Sequence, residues 1–347
     1  MCKRILVGMS GGIDSTWAVK RLIEEGWAVE GAVLDMHPSS PVEQARLAAH
    51  SLGIPLHVID CRKRFKEAVE DYFVSEYANG RTPNPCVMCN SEVKIRLLAD
   101  TARGLGIDRI STGHYVRIVK NAKTGRFEMY SAEDKKKDQS YFLWRVSQED
   151  WAMFHSTLEN AEKESVKREL DEGEISHDGK ESQEICFIPD GFRTQFLRER
   201  MSEEERLRSF TEGDFVTLDG KTVGRHNGLA NYTLGQRKGL GIALGRPAYV
   251  LRLDGATNRV TVGFEEDNVC HGFTVSGVHF VSLEAFEGDI ECLVRVRHRG
   301  ILREATATVV GDRCTVSLKS PEKSVSSGQS AVFYDDYGRV LFGGVID

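Results

Sequence analysis

The sequence predicts an α/β protein: a doubly wound parallel sheet, followed by a small β-rich domain and a β-barrel. Over the first ~115 residues, short apolar runs alternate with amphipathic helical patterns, as is typical of parallel strands joined by helices. From about Phe210 onward, short apolar runs are separated by glycine and Asp-Gly turns, which indicates sheets or barrels. The chain of 347 residues is long enough for two or three domains.

The first strand and helix are joined by a glycine turn at residues 8–15. An apolar run at residues 5–7 precedes the turn, and residues 16–23 carry apolar side chains at helical spacing. Paired glycines allow a tight turn, and the free amides at the start of the helix suit phosphate or pyrophosphate. The alternative is a turn that uses small residues only to turn. The lysine of the Gly-x-x-x-x-Gly-Lys-Ser/Thr motif is missing here.

The other N-terminal elements follow the same alternation. Strands are predicted at residues 28–34, 56–59 and 109–111, and helices at residues 42–52, 65–77 and 91–105. Because ligands bind parallel sheets at the carboxyl ends of the strands, the glycine turn is expected at the binding edge. Residues 115–119 and 126–130 predict a hairpin, and residues 147–185 predict a charged helical region.

Composition and charge exclude several classes of protein. With 40% hydrophobic and 28% charged residues, the chain has the composition of an ordinary globular protein. No run approaches the ~18–20 apolar residues of a membrane span, and the N-terminus has no signal-peptide pattern, so we expect a cytoplasmic protein without a membrane role. The net charge of −6 argues against indiscriminate coating of nucleic acid but allows a local basic surface.

The second chemical feature is the segment at residues 81–90, which contains Cys86 and Cys89 between two prolines and Asn90. The prolines predict an extended, rigid loop, and Asn90 is a candidate N-cap of the following helix. Cys89 would then lie at a helix N-terminus, where the dipole lowers a thiol pKa. A zinc knuckle needs a second Cys-x-x-Cys pair, which the sequence lacks. Cys186, in a short apolar run, would by itself be a buried and inert thiol.

Together these motifs resemble the tRNA-specific 2-thiouridylases, a family of the PP-loop ATP pyrophosphatase superfamily. The resemblance is carried in consistent order by residues 10–15, 82–90, 111–115, 137–143, 181–188, 224–229, 232–241 and 328–334. It implies a PP-loop ATP-binding catalytic domain at residues 1–195. It also implies a small β-rich central domain at residues 196–266 and a C-terminal β-barrel tRNA-binding domain at residues 267–347.

The resemblance also implies a reaction. The enzyme would use ATP and Mg²⁺ to adenylate the C2 oxygen of the wobble uridine of tRNA, with Lys, Glu and Gln acceptors expected. A persulfide from a donor protein would then supply the sulfur, with release of AMP and pyrophosphate. Cys186 would carry the persulfide, Cys89 would be the nucleophile, and the two would form a disulfide. Cys86 stands where some relatives have an aspartate proposed as general acid or base, so its accessory role stays open.

The resemblance assigns binding residues as well. ATP would be bound by Gly8, Met9, Ser10, Gly11, Gly12, Ile13, Asp14, Ser15, Leu34 and Gly113, with Asp14 also counted as catalytic. The tRNA would be bound by Asn84, Pro85, Cys86, His114, Lys137, Asp138, Gln139, Arg297, His298 and Gln329. Arg295, Arg297 and Arg299 alternate in sequence, which predicts one strand face and a phosphate-binding stripe.

Three alternatives remain open at this point. Cys86, Cys89 and Cys186 could be the ligands of a [4Fe–4S] cluster whose open iron carries sulfide. A PP-loop synthetase acting on a small molecule would explain residues 10–15 but would leave the cysteines unexplained. A tRNA-binding protein without catalytic activity is the third. The central structural prediction is that residues 10–15, Cys89 and Cys186 face one cleft.

Overall fold

The computed structural model describes residues 3–173 and 185–347. Its N-terminal sheet has strands β1 (Arg4–Gly8), β2 (Ala28–Asp35), β3 (Leu56–Asp60) and β4 (Ile110–Thr112), all parallel and in the order β3-β2-β1-β4. The central position of β1 explains its sequence, since Ile5, Leu6 and Val7 are completely buried. The predictions that fall on residues 174–184, including part of the Cys186 motif, lie outside the described residues.

Helices cover this sheet. They are α1 (Ile13–Glu24), α2 (Val42–Ser51), α3 (Arg62–Phe65), α4 (Asp71–Ala78), α5 (Pro85–Met88) and α6 (Ile95–Gly104). A π-helical turn at Lys66–Glu70 joins α3 to α4, and a second at Cys89–Lys94 joins α5 to α6. α6 shows why these segments are helical: Ile95, Leu98, Ala99 and Ala102 recur at helical spacing and form its buried face.

The helix that carries the cysteines begins earlier than the sequence predicted. It starts at Pro85, with Asn84 at the N-cap position, rather than at Ser91. Proline is well tolerated at the first helical position, because the N–H that it lacks would have no partner there. Asn90 therefore lies inside the helix and not at its cap, and its Nδ2 donates to the Phe142 carbonyl at 3.3 Å.

The charged region after the first sheet is only partly helical. Its described helices are α7 (Gln148–Trp151) and α8 (Lys163–Glu172), and two more, α9 (Arg193–Arg200) and α10 (Glu203–Phe210), follow. α8 packs against α1, because it buries Val166 and Leu170 and because Trp17 Nε1 donates to Glu169 Oε2 at 2.8 Å. This contact brings the start of α8 close to the glycine turn.

The predicted hairpin is confirmed as β5 (Val116–Lys120) and β6 (Phe127–Ser131). It does not join the N-terminal sheet. Its β6 pairs with β16 (Arg339–Ile346) through Tyr130 and Met129, so it extends the sheet of the C-terminal domain. The hairpin therefore connects the two ends of the chain, and the predicted domain boundaries stay a prediction.

The C-terminal half forms two sheets. The central sheet has β7 (Gly213–Val216), β8 (Thr222–His226), β9 (Tyr249–Asp254) and β10 (Arg259–Gly263) in the order β8-β7-β10-β9. The last sheet adds β11 (Cys270–Phe280), β12 (Gly288–Arg295), β13 (Arg303–Val310), β14 (Arg313–Glu322) and β15 (Ser330–Tyr334) to β16. Because β16 pairs with both β15 and β11, this sheet closes into the predicted barrel. No helix in the described ranges is long and apolar enough to cross a bilayer.

Candidate active site

A cleft of about 1310 Å³ lies at the carboxyl ends of β1, β2 and β4. Such an edge is where parallel α/β sheets bind ligands. Its walls come from the glycine turn, the helix of Pro85 and Cys86, the segment around Cys186, and His298 and Arg299 of the C-terminal domain. The cleft thus brings together residues that are far apart in the sequence.

The glycine turn is a tight and rigid cradle. Gly11 has φ +71°, and a Cβ there would lie 2.4 Å from the backbone of Gln44. The hydroxyl of Ser15 accepts from the Ser10 N–H at 3.1 Å and donates to the Gly12 carbonyl at 3.2 Å. A Cβ at Gly113 would lie 2.7 Å from Ser15 N, so Gly113 presses directly on the cradle. Backbone amides held in this way at the start of α1 suit the oxygens of a polyphosphate.

The predicted ATP-binding residues lie around this cradle. Those that line the cleft are Gly8, Met9, Ser10, Gly12, Ile13, Asp14, Ser15, Leu34 and Gly113. Gly11 is buried behind them, where its positive φ shapes the turn.

Asp14 is already paired with a cation. Lys163 Nζ lies 2.7 Å from Asp14 Oδ1, and the Tyr115 hydroxyl donates to the same oxygen at 2.8 Å. Lys163 also lines the cleft, although its side chain is only 12% exposed. Lys163 could not be identified from the sequence, because it lies in a charged helix that carries no recognisable motif. The pair places an ammonium beside the phosphate cradle.

The three cysteines have different environments. Cys86 and Cys186 are exposed and line the cleft, whereas Cys89 is buried in the wall behind them. Cys89 packs with Phe65 and Val69, and its Sγ lies 4.0 Å from Met36 Sδ. Residues 10–15 and Cys186 therefore share one cleft as predicted, but Cys89 does not open onto it.

The prediction of a lowered pKa for Cys89 was wrong. The pKa of this thiol is raised to about 12, mainly by burial; Lys94 opposes the rise, and the nearby Cys186 and Cys86 thiols add to it. The physical reason is the earlier start of the helix at Pro85, which leaves Cys89 inside the helix and among apolar side chains. Although Cys86 is exposed to the cleft, desolvation by the surrounding cleft walls raises the pKa of its thiol as well.

Aromatic packing holds Cys186 at the cleft. Its neighbour Phe187 makes edge contacts with Phe65 and Phe73, at centroid distances of 5.4 and 5.6 Å. Ile188 is buried in the same region, beside Phe73. Because both following side chains point inward, the Cys186 thiol is left exposed rather than buried as the local pattern suggested.

Several of the predicted tRNA-binding residues line the cleft, namely Asn84, Pro85, Cys86, His114, Lys137, Gln139 and His298. Burial lowers the pKa of His114 to about 3, with a further contribution from Lys94. Its imidazole is therefore neutral, and Nδ1 is 2.7 Å from Thr112 Oγ1. Lys94 was also not identified from the sequence; it lines the cleft one helical turn after Cys89.

Two predicted tRNA-binding residues instead connect parts of the protein. Gln329 Nε2 donates to the carbonyls of Thr82 and Pro83 at 2.9 and 3.1 Å, which ties the cysteine segment to the barrel. The buried carboxylate of Asp138 pairs with Arg295 at 3.2 Å and accepts from Ser140 Oγ at 2.9 Å. Both side chains are used within the protein itself.

The predicted stripe of three arginines was wrong. β12 ends at Arg295, so the alternation of side chains does not continue to the other two. Arg295 pairs with Asp138, whereas Arg297 pairs with Glu322 at 3.0 Å. Arg299 has φ +61° in the turn that follows and lines the cleft, as does His298, whose ring lies 4.5 Å from that of Phe142. Of the three arginines, Arg299 is the one that lines the cleft.

The described residues do not fit a metal cluster. No group of three or more His, Cys, Asp or Glu side chains in residues 3–173 and 185–347 is arranged to hold a metal ion. Cys89 is buried and does not face the cleft that the Cys86 and Cys186 thiols line. A [4Fe–4S] centre would need all three thiols to face a common point.

A phosphate cradle at the carboxyl edge of a parallel sheet, with thiols in the same cleft, defines an enzyme of the PP-loop class. Three family profiles match the chain: tRNA methyl transferase HUP domain at residues 3–190, tRNA methyl transferase PRC-barrel domain at residues 201–264, and aminomethyltransferase beta-barrel domain at residues 270–346.

Curated relatives match over the full length. The tRNA-specific 2-thiouridylase MnmA of Treponema denticola is 38% identical, over 99% of this chain and 98% of that protein. The MnmA proteins of Clostridium perfringens and Acetivibrio thermocellus are 37% and 36% identical over 99% of this chain, and 98% and 99% of their own lengths are covered. The chain belongs to the MnmA family of tRNA-specific 2-thiouridylases.

Proposed function

We propose that the protein is a tRNA-uridine 2-sulfurtransferase that activates the C2 oxygen of the wobble uridine with ATP and replaces it with persulfide sulfur. The observation that carries this proposal is the shared cleft, which holds the phosphate cradle and the Cys86 and Cys186 thiols together. Family membership supports tRNA as the substrate. A small-molecule synthetase would have no use for these thiols.

The cradle serves the activation step. The C2 oxygen attacks the α-phosphorus of ATP, the α–β bond breaks, and pyrophosphate leaves with the electron pair. The amides of residues 11–14 and the Lys163 ammonium stabilise the developing charge, because they are held in place before the reaction begins. Mg²⁺ brought in on the phosphates of ATP would offset further charge, and Asp14, which lines the cleft beside the cradle, is the carboxylate that would help to hold it.

The thiols serve the second step. The terminal sulfur of a Cys186 persulfide attacks C2, and AMP leaves with the electron pair of the C–O bond. The Cys89 thiolate then attacks Cys186 Sγ, and the S–S bond to the transferred sulfur breaks. The products are 2-thiouridine and a Cys89–Cys186 disulfide, which a thiol reductant must reopen. Cys89 has to leave its buried position for this attack, while Cys86 stays an accessory thiol.

The target base must leave the anticodon stack to reach these groups. His298 and Arg299 lie on the side of the cleft that the C-terminal domain forms, and the His298 ring packs at a tilt against that of Phe142. A base and a phosphate could be held there. The acceptor tRNAs, the persulfide donor protein and the cytoplasmic location remain predictions.

Mass spectrometry of tRNA tests the proposed function. Transcripts with a wobble uridine are incubated anaerobically with enzyme, ATP, Mg²⁺ and a persulfide donor, and then digested to nucleosides. We expect 2-thiouridine and an equal amount of AMP. Absence of 2-thiouridine would favour the alternative of a tRNA-binding protein without catalytic activity.

The [4Fe–4S] alternative calls for its own measurement. Enzyme purified anaerobically is assayed for iron and for visible absorption before the thiolation assay. We expect a colourless protein that thiolates tRNA at full rate with a persulfide donor. Activity that depends on bound iron would replace the persulfide route with the cluster route.

Lys163→Met is expected to lower tRNA-dependent pyrophosphate release by about 10- to 100-fold, because the cradle loses its charge and the Asp14 carboxylate loses its partner. The measurement is initial rate against ATP concentration. Lys167→Met, at an exposed position on the same helix, is the control and should leave the rate unchanged. Equal rates in both variants would remove Lys163 from the activation step.

Arg299→Ala is expected to weaken tRNA binding and to reduce the slope of log K against log salt by about 0.7, the loss of one phosphate contact. Arg297→Ala should keep the slope and lower the melting temperature instead, because its partner Glu322 is buried. Binding titrations at several salt concentrations check both. The reverse pattern would restore Arg297 as the phosphate contact.

A further inference from the structure

Lys94 is a cation that the activation and transfer steps above do not use. It lines the cleft together with the exposed Cys86 and Cys186 thiols, and it lies in the same π-helical turn as the buried Cys89. We propose that Lys94 is a positioning residue for sulfur transfer, whose ammonium holds the anionic sulfurs of Cys89 and Cys186 at the reacting carbon. This inference rests on the proposed roles of those two cysteines.

The π-helical turn places Lys94 on the same side of the helix as the cysteines. In a regular α-helix each residue advances by about 100°, so residues five apart would point about 140° away from each other. Here the Ile95 N–H donates to the Asn90 carbonyl, the five-residue step of a π turn. Residues five apart then diverge by much less than in an α-helix, which turns Lys94 toward the side of Cys89. Cys86, three residues before Cys89, lines the same cleft as Lys94.

The groups that act electrostatically on the Lys94 ammonium are cysteine sulfurs, which carry a negative charge when they are deprotonated. Burial lowers the pKa of Lys94, but the thiols of Cys89, Cys186 and Cys86 together raise it above its usual value. In return, Lys94 opposes the effect of burial on the pKa of Cys89 and Cys86. Within residues 3–173 and 185–347, no carboxylate forms an ion pair with Lys94. Among these residues, the groups that interact electrostatically with Lys94 are the three cysteine sulfurs.

The other titratable groups nearby do not compete for this charge. His114 and His37 are neutral, since burial lowers the pKa of both and Lys94 lowers it further. Glu70, which faces His37, is paired with Arg200 at 2.6 Å. Cys61, which packs beside Cys89, has a pKa raised by burial to about 11. Asp35, the other carboxylate that acts on His37, lies 3.7 Å from Arg62. In the part of the chain that the structure describes, the nearby carboxylates are thus paired with arginines.

Such a cation assists both halves of sulfur transfer. It stabilises the persulfide anion before its attack on C2 and the Cys89 thiolate before its attack on Cys186. It also stabilises the charge on the sulfur that leaves Cys186 as 2-thiouridine forms. Lys94 keeps its own proton throughout, and the protons of the persulfide and of the Cys89 thiol pass to solvent in the cleft. A lysine that only filled space would have none of these effects.

The test compares Lys94→Met, which removes the charge, with Lys94→Arg, which keeps it, and with Lys63→Met, whose side chain is 89% exposed. Enzyme loaded with persulfide on Cys186 is mixed with tRNA, ATP and Mg²⁺, and 2-thiouridine and pyrophosphate are followed over one turnover. Alkylation of Cys86, whose thiol pKa Lys94 lowers, is measured against pH by peptide mapping of enzyme without persulfide.

For Lys94→Met we expect sulfur transfer at least about 10-fold slower, pyrophosphate release within about 2-fold of wild type, and an alkylation midpoint about one pH unit higher. Lys94→Arg should restore transfer to within about 3-fold, and Lys63→Met should match wild type. Transfer and alkylation unchanged in Lys94→Met would overturn the inference.

Two further outcomes are decisive. If Lys94→Met melts at a much lower temperature, Lys94→Arg decides, because a folded arginine variant that transfers sulfur slowly would contradict a role for the charge. If wild-type enzyme forms no 2-thiouridine from loaded persulfide, the proposed function fails rather than the role of Lys94.

Discussion

Cys186→Ala is expected to abolish 2-thiouridine formation, by on the order of 10³-fold or more, while pyrophosphate release with tRNA continues. Cys186 is exposed in the cleft but lies on a separate segment from the phosphate cradle, so its loss removes the sulfur carrier and leaves activation intact. The measurement is a paired assay of pyrophosphate and thiolated tRNA in the same reaction. The expected result is a separation of the two.

Cys270→Ala is the matched control, because Cys270 is a partly exposed thiol on β11 and does not line the cleft. It should thiolate tRNA at the wild-type rate. If Cys186→Ala kept full thiolation, sulfur would have to reach the base by another route. If Cys186→Ala kept full activity on a small-molecule acceptor, and if neither it nor the wild-type enzyme thiolated tRNA, the synthetase alternative would be correct.

Gly11→Ala is expected to lower ATP-dependent pyrophosphate release by about 100-fold, because it distorts the cradle. The left-handed φ of +71° costs an alanine about 1–2 kcal/mol, and the added Cβ would lie 2.4 Å from the backbone of Gln44. The clash cannot be relieved by a side-chain rotation, so the turn or α2 must shift. ATP binding by calorimetry and pyrophosphate release measure the effect.

Gly125→Ala is the control that separates the cost of a left-handed φ from the effect of a steric clash. Gly125 has φ +75° in the turn of the β5–β6 hairpin, and a Cβ there meets nothing within 4 Å. It should lose stability comparable to the conformational part of the Gly11 effect and bind ATP normally. Equal ATP affinity in the two variants would show that the turn at residues 8–15 does not hold the phosphates.

The sequence was a good guide where the signal is local. The buried run of β1 and the hairpin at Asn121 follow from hydrophobic pattern and turn residues, and both are in the structure. The start of the cysteine helix was missed because Pro85 fits an extended loop and a first helical turn equally well. The prediction of an arginine stripe was wrong because no turn residue at this point in the sequence indicates that β12 ends at Arg295.

The site itself depends on contacts between distant segments. Asp14 and Lys163 are 149 residues apart, and the charged helix that holds Lys163 has no motif of its own. The pKa of Cys89 is set by Phe65, Val69 and Met36, which belong to other elements. Family resemblance could name Cys89 and Cys186, but only the folded chain shows that one thiol is exposed and the other buried.

Peptide mapping after a single turnover tests the proposed roles of Cys186 and Cys89 most directly. Enzyme with persulfide on Cys186 is mixed with tRNA, ATP and Mg²⁺ without reductant, alkylated, and digested under non-reducing conditions. We expect a Cys89–Cys186 disulfide in an amount equal to the 2-thiouridine formed, and no disulfide when ATP is omitted. Full thiolation with Cys89 recovered as an alkylated free thiol would contradict these roles.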